Sequence, residues 1–185
     1  MIDAYFDSEE YSKIDFSKTK IKKGEYDNCT FVNCNFESIH ASNIQFVDCN
    51  FSNTIVKDTA FKDVNFIKCK MIGVKFNEVN PFLLQVSFTE CQLNLSSFYQ
   101  LKIPNTKFTS CNLEEVDFTE TIATSCVFNM SDLKGAIFYD CHLEKSDFRN
   151  ALNFNINPDK NCLKGARFRK ENLAGLLLDY KIVIA

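Results

Sequence analysis

The chain of 185 residues contains no tryptophan, three prolines, five glycines and two histidines, His40 and His142. So little proline and glycine excludes a collagen-like or low-complexity chain. Two histidines leave little for a histidine-based metal centre. No apolar run reaches the length of a membrane-spanning helix. A strong charge of either sign is also missing. The net charge of −3 gives no reason to expect direct contact with nucleic acid or a membrane surface. The opening stretch, Met1 to Glu10, has neither a basic nor an apolar region of signal-peptide type, so a cytoplasmic protein is expected. There is no CxxC, glycine-rich phosphate loop, nucleophile elbow or paired-histidine helix motif. No catalytic residue, metal site or cofactor is expected, and the chain reads as a protein that is not an enzyme.

What the chain has is a beat of five. In Phe108-Thr-Ser-Cys-Asn-Leu113-Glu-Glu-Val-Asp-Phe118 a large apolar residue, here called the centre, recurs every fifth position. Two residues before each centre comes a small or β-branched residue, here called the slot. Backward the beat passes Ile103, Phe98, Leu93, Phe88 and Leu83; forward it passes Ala123, Phe128, Leu133, Phe138, Leu143 and Phe148. From Phe6 to Phe76 it runs in another phase, and all fifteen centres there are apolar. Chance gives such a run on the order of a few times in 10^5. Of the nineteen phenylalanines, all but Phe82 and Phe154 are centres. Of the nine cysteines, Cys29, Cys34, Cys49, Cys69, Cys91, Cys111, Cys126 and Cys141 occupy slots, and Cys162 does not. Val64, Val74, Val86, Ala136, Ser131 and Thr106 share that place. Cysteine therefore serves as a small buried side chain rather than as part of a disulfide framework or a metal site.

A period of five fits neither a helix of 3.6 residues per turn nor a strand of period two. It fits a chain that turns a corner every unit, so that four units make a square coil of about 20 residues stacked at about 4.8 Å. The expected fold is all-β, a right-handed quadrilateral parallel β-helix. Centres fill its interior, with phenylalanine on two opposite walls and aliphatics on the others between Phe88 and Phe148. Residues 1–25 keep the centres but lose the slots, and are expected to form an irregular N-terminal coil. The repeat proper is expected over 26–178. Two extra residues interrupt it at 77–82, where Asn80, Pro81 and Phe82 form a bulge and a candidate partner contact. Polar Asn153 and ring-locked Pro158 at centre positions predict a distorted coil over 152–158, with Phe154 and Ile156 supplying the core. Residues 170–178 can make a helical turn or two, and 179–185 read as a strand. Leu176, Leu177, Leu178, Ile182 and Ile184 are more apolar than a solvated tail needs, so this end is expected to cap the coil and form a two-fold dimer contact.

Charge is uneven. Residues 114–147 carry eight acids and two bases, and residues 148–185 carry seven bases and three acids. Glu114, Glu115, Glu120, Asp140 and Glu144 are the candidate acidic contact residues. Twenty residues apart, Glu120 and Asp140 should stack on one wall with Tyr99 and Tyr139. Like charges that close repel, and a cationic partner would relieve the cost.

The units Cys-Asn-Phe at 34–36 and 49–51, Val-Asn-Phe at 64–66, Cys-Asn-Leu at 111–113, Val-Asp-Phe at 116–118, Ser-Asp-Leu at 131–133 and Ser-Asp-Phe at 146–148 resemble those of the pentapeptide-repeat family. The resemblance implies the square β-helix. Its members that guard DNA gyrase and topoisomerase IV, the Qnr-type and microcin-immunity proteins, imply a non-enzymatic DNA-mimicking homodimer that protects the topoisomerase from a quinolone or peptide toxin. A stand-alone repeat domain and the Asn155-Ile-Asn-Pro158 stretch near a short apolar end are similar to such members. The alternative is a repeat scaffold that binds another protein partner and has no topoisomerase role.

Overall fold

A computed structural model describes residues 4–82 and 84–183; Leu83 and Ile184 lie outside the described residues. The backbone winds as a right-handed square coil. On the first wall seven strands form one parallel sheet in chain order. They are β1 (Tyr5–Asp7), β2 (Gly24–Asp27), β3 (His40–Val47), β4 (Ala60–Ile67), β5 (Val86–Thr89), β6 (Lys107–Thr109) and β7 (Val127–Asn129). Neighbouring strands are 20 residues apart in register, as in Phe46 opposite Phe66. The exception is β4 to β5, where Phe66 faces Phe88 and the coil holds 22. That is the two-residue insertion read from the broken phase. β3 and β4 also pair round the corner on the fourth wall, with Ala41 opposite Phe61; elsewhere the other three walls are held by single bridges at the same spacing, such as Asn112 to Asp132, Asp117 to Ile137 and Ile122 to His142.

Centres and slots both point inward. On the first wall nine rings stack: Phe6, Tyr26, Phe46, Phe66, Phe88, Phe108, Phe128, Phe148 and Phe168, with centroids 4.5–5.4 Å apart. Across the interior Phe76, Phe98, Phe118 and Phe138 form a second column at 4.8–5.3 Å. The two columns meet edge to face at 5.4–6.1 Å and 77–88°. Offset stacking within a column and edge contact between columns are the arrangements that the ring quadrupole favours. Each buried ring contributes about 1.5–3 kcal/mol. The second wall is aromatic at Tyr11, Phe31 and Phe51 and aliphatic from Met71 onward, which suits the alternation seen after Phe88.

The slot has a second task. In many units a Cys, Ser or Thr there donates to the carbonyl of a centre 23 residues earlier, one coil below. Thr121 Oγ1 reaches the Phe98 oxygen at 2.8 Å, Ser146 Oγ the Ala123 oxygen at 2.6 Å, Cys141 Sγ the Phe118 oxygen at 2.9 Å and Cys126 Sγ the Ile103 oxygen at 3.0 Å. A buried carbonyl without a partner is costly, so a small side chain that can also donate suits this position. The eight slot cysteines are buried free thiols, and Cys162 is exposed.

Corners are set by two further positions. The Asn or Asp before a centre accepts the backbone N–H two residues on, as Asn112 does from Glu114 and Asp117 from Thr119, both at 2.9 Å. Two residues after the centre the chain enters the left-handed region. Asn28, Asn33, Asn43, Asp48, Asn53, Asp58, Asp63, Asn105 and Asp140 have φ between 49° and 62°. Gly73, Gly135 and Gly165 hold the same place at 68–73°. Asn, Asp and Gly are the residues that tolerate this conformation best. The Asn/Asp/Gly enrichment at that fifth position is a sequence signal for the corner, separate from the centres and slots.

Both ends differ from expectation. The first 25 residues are more regular than the missing slots suggest. β1 pairs with β2, Glu10 with Thr30 and Asp15 with Asn35, all at the 20-residue register, and Phe6 stacks on Tyr26. Backbone pairing along three walls does not require a small slot residue when no coil lies below. At the other end Lys170–Leu176 and Leu178–Tyr180 are 3-10 helices, so the strand expected over 179–185 is absent among the described residues. Side chains of the distorted coil hold this segment: Asn155 and Asn157 donate to Asp179 at 3.1 and 2.9 Å, and the Tyr180 hydroxyl donates to Asp159 at 2.5 Å. In that coil Asn153 is turned out at φ 53°, Pro158 starts a 3-10 turn, and Phe154 and Ile156 are buried in place of the lost centres.

Candidate partner-binding surface

The interior is filled, so contacts with a partner fall to the outward positions of each wall and to its corners. The five candidate acids do not share one wall. Glu115, Glu120 and Asp140 stand at left-handed corners, with φ of 55–56°. Glu115 lies at the leading edge of the third wall, the wall of Phe98, Phe118 and Phe138. Glu120 and Asp140 lie at its trailing edge in adjacent coils, where Gln100 Nε2 donates to Glu120 Oε2 at 2.7 Å. Glu114 belongs to the end of the second wall and is paired with Lys134 at 2.7 Å. Glu144 lies on the fourth wall beside His142, 3.3 Å away. The single acidic wall is therefore corrected to an acid-rimmed third wall made by three of the five residues. A four-sided coil separates residues that a linear charge count groups together.

Between those rims the third wall presents Tyr99, Ile137 and Tyr139, all exposed, with Asp117 and Thr119. Tyr99 and Tyr139 share the wall that the 20-residue spacing assigns them, and Ile137, not singled out in the sequence, lies on the same wall. Toward the last coil Lys160 lies over the Tyr139 ring, 5.6 Å from its centroid, and ends the acidic run. On the first wall Arg149 grips Asp147 with two nitrogens at 2.7–3.1 Å and holds that carboxyl below its ordinary range. On the fourth wall burial pushes the Glu144 carboxyl up, but bonds from its own N–H and from His142 outweigh this, so its net shift is downward.

The bulge is a built turn. Asn80 N–H donates to the Thr59 oxygen, its side chain donates to Asp58 Oδ1, and its Oδ1 accepts from Phe82 N–H at 2.9 Å. These bonds hold Pro81 and Phe82 outside the coil, and Phe82 is 75% exposed. At the C-terminal end Leu176 is half-buried against the core and Leu177 is half-buried, whereas Leu178 and Ile182 are exposed. Leu173, Tyr180 and Val183, not singled out in the sequence, extend that apolar end.

A filled right-handed parallel solenoid is the class that this geometry defines. The comparisons agree. A family model described as a pentapeptide repeat region matches residues 19–98, and one described as eight copies of pentapeptide repeats matches 111–150. Together they span well over half of the sequence, and the chain belongs to the pentapeptide-repeat family. Among solved structures, a trypsin-treated variant of QnrB1, a plasmid-mediated fluoroquinolone resistance protein, superposes with a TM-score of 0.84 at 13% identity, covering 98% of this chain and 92% of that one. A second trypsin-treated variant gives 0.85 at 13% identity, covering 98% and 89%. Full-length QnrB1 gives 0.55 at 15% identity, covering 97% and 100%. Comparison with curated protein sequences found no match.

Proposed function

We propose that the chain is a non-enzymatic binding protein that protects DNA gyrase or topoisomerase IV from a quinolone or a peptide toxin. The observation that carries this reading is the third wall, a tyrosine-bearing face with Glu120 and Asp140 stacked along one edge and Glu115 at the other. Eight coil steps along the first-wall ring column, at about 4.8 Å each, make a rod about 38 Å long. A rod of that size with acidic edges can occupy a basic DNA-binding groove. The likeness to QnrB1 over nearly the whole of both chains supports the reading in shape. Two copies joined at Leu178, Ile182 and Val183 would lengthen the rod across a two-fold axis, which suits a two-fold topoisomerase. The test is a supercoiling assay with purified gyrase and ciprofloxacin or a microcin. Restored supercoiling at substoichiometric to stoichiometric protein supports the reading. No rescue and no inhibition at any protein concentration overturns it for those poisons.

A second reading rests on Phe82. An aromatic ring held in solvent by a hydrogen-bonded turn suits insertion into a partner's pocket. On this reading the chain is a scaffold for a protein unrelated to topoisomerases. A pull-down whose capture is lost in Phe82→Ala, with no gyrase among the captured proteins, favours it.

A further inference from the structure

The fourth wall of the last two coils gathers three metal-binding side chains. His142 and Glu144 flank the inward centre Leu143, so both face out. Cys162 lies one coil on, bridged in register to His142, with Cys162 N–H on the Cys141 oxygen and Leu143 N–H on the Cys162 oxygen, each at 2.9 Å. One donor atom from each of the three lies within 4.8 Å of the others. Cys162 is the cysteine that the repeat does not explain. It sits outside every slot and is exposed where the other eight are buried.

The donor set is selective. A thiolate, an imidazole and a carboxylate suit zinc and its neighbours, whereas magnesium and calcium take oxygen ligands. Tetrahedral zinc with bonds of about 2.0–2.3 Å needs donors about 3.3–3.8 Å apart. His142 Nδ1 and Glu144 Oε1 are already 3.3 Å apart, and a rotamer adjustment of the exposed Cys162 closes the rest. A separate observation points to a cation: Glu144 Oε2 is shielded from solvent and has no hydrogen-bond partner. An unpartnered carboxylate oxygen is costly, and a metal bond satisfies it.

We propose that His142, Glu144 and Cys162 form a zinc-type divalent metal site that ties the last two coils together, with a fourth position left to water. Binding forms a metal–sulfur bond and releases the thiol proton to solvent. Because eight buried thiols could also take metal from a damaged chain, the probe is cobalt(II) added to the reduced, folded full chain. The expected result is one cobalt per chain with a thiolate-to-cobalt charge-transfer band, bleached by added zinc. Cys162→Ser should abolish the band and His142→Ala should weaken binding at least about tenfold, with circular dichroism unchanged. No band, or an undiminished band in Cys162→Ser, overturns the proposal.

Discussion

A slot side chain must be small enough to fit beneath the next ring, and where it is Cys, Ser or Thr it can also donate to the carbonyl below. Thr121→Val keeps the shape and removes the donor to the Phe98 oxygen. It should cost about 1 kcal/mol in denaturant melts, and an unchanged midpoint would show that the slot selects for size alone. Phe118→Ala removes a ring stacked on both Phe98 and Phe138 and should cost about 3–5 kcal/mol. At the corners, Leu95 has φ 63° and is exposed. Leu95→Asn relieves that strain and should stabilise by about 0.5 kcal/mol. The buried thiols make the molecule sensitive to alkali. Burial pushes Cys126 up to about 12 and Cys29 and Cys141 up to about 11, from an ordinary 9.0. A raised thiol holds its proton longer in the folded state. Its stabilisation is complete below pH 9 and is lost as pH climbs from there toward 12. Melting temperature should fall over that window, and replacing Cys126 by Ser should flatten the fall.

For elements, the insertion offers the cleanest trial. Deleting Pro81 and Phe82 restores a 20-residue coil, because Asn80 still pairs with Thr59 and Gln85 with Phe61. The shortened chain should fold with stability within about 1 kcal/mol of the parent. A collapse of secondary structure would mean that the bulge is a splint and not an insertion. The square coil, its ring columns and this insertion were legible because spacing along the chain maps directly onto height in the stack: a phase slip of two in sequence is a register of 22 in space. The burial of Phe154 and Ile156 was legible because Asn153 and Pro158 hold the centre positions and these are the large apolar residues between them. The helical turns over 170–178 were legible too, but the 3-10 turn at Leu178–Tyr180 in place of a strand was not. Its shape depends on Asn155, Asn157 and Asp159 reaching Asp179 and Tyr180 from another coil, and nothing local to 179–185 records that. The acids misled in a similar way. Glu114 and Glu144 lie near Glu120 in sequence but on other walls, paired with Lys134 and His142.

For the whole molecule, the proposed dimer contact lies at the C-terminal end and the proposed partner contact on the third wall. Leu178 and Ile182 are exposed while Leu176 leans on the core. Leu178→Asp should therefore convert a micromolar dimer into a folded monomer by light scattering, whereas a wild-type chain already monomeric at that concentration removes the two-fold rod. The acid-rimmed wall is the part on which the functional reading stands. The measurement that reaches it most directly is gyrase supercoiling in ciprofloxacin with wild-type protein beside Glu120→Lys/Asp140→Lys. The predicted result is protection by the wild type and at least about tenfold weaker protection by the doubly reversed protein, with both equally folded. Equal protection by the two proteins, or none from the wild type, would contradict it.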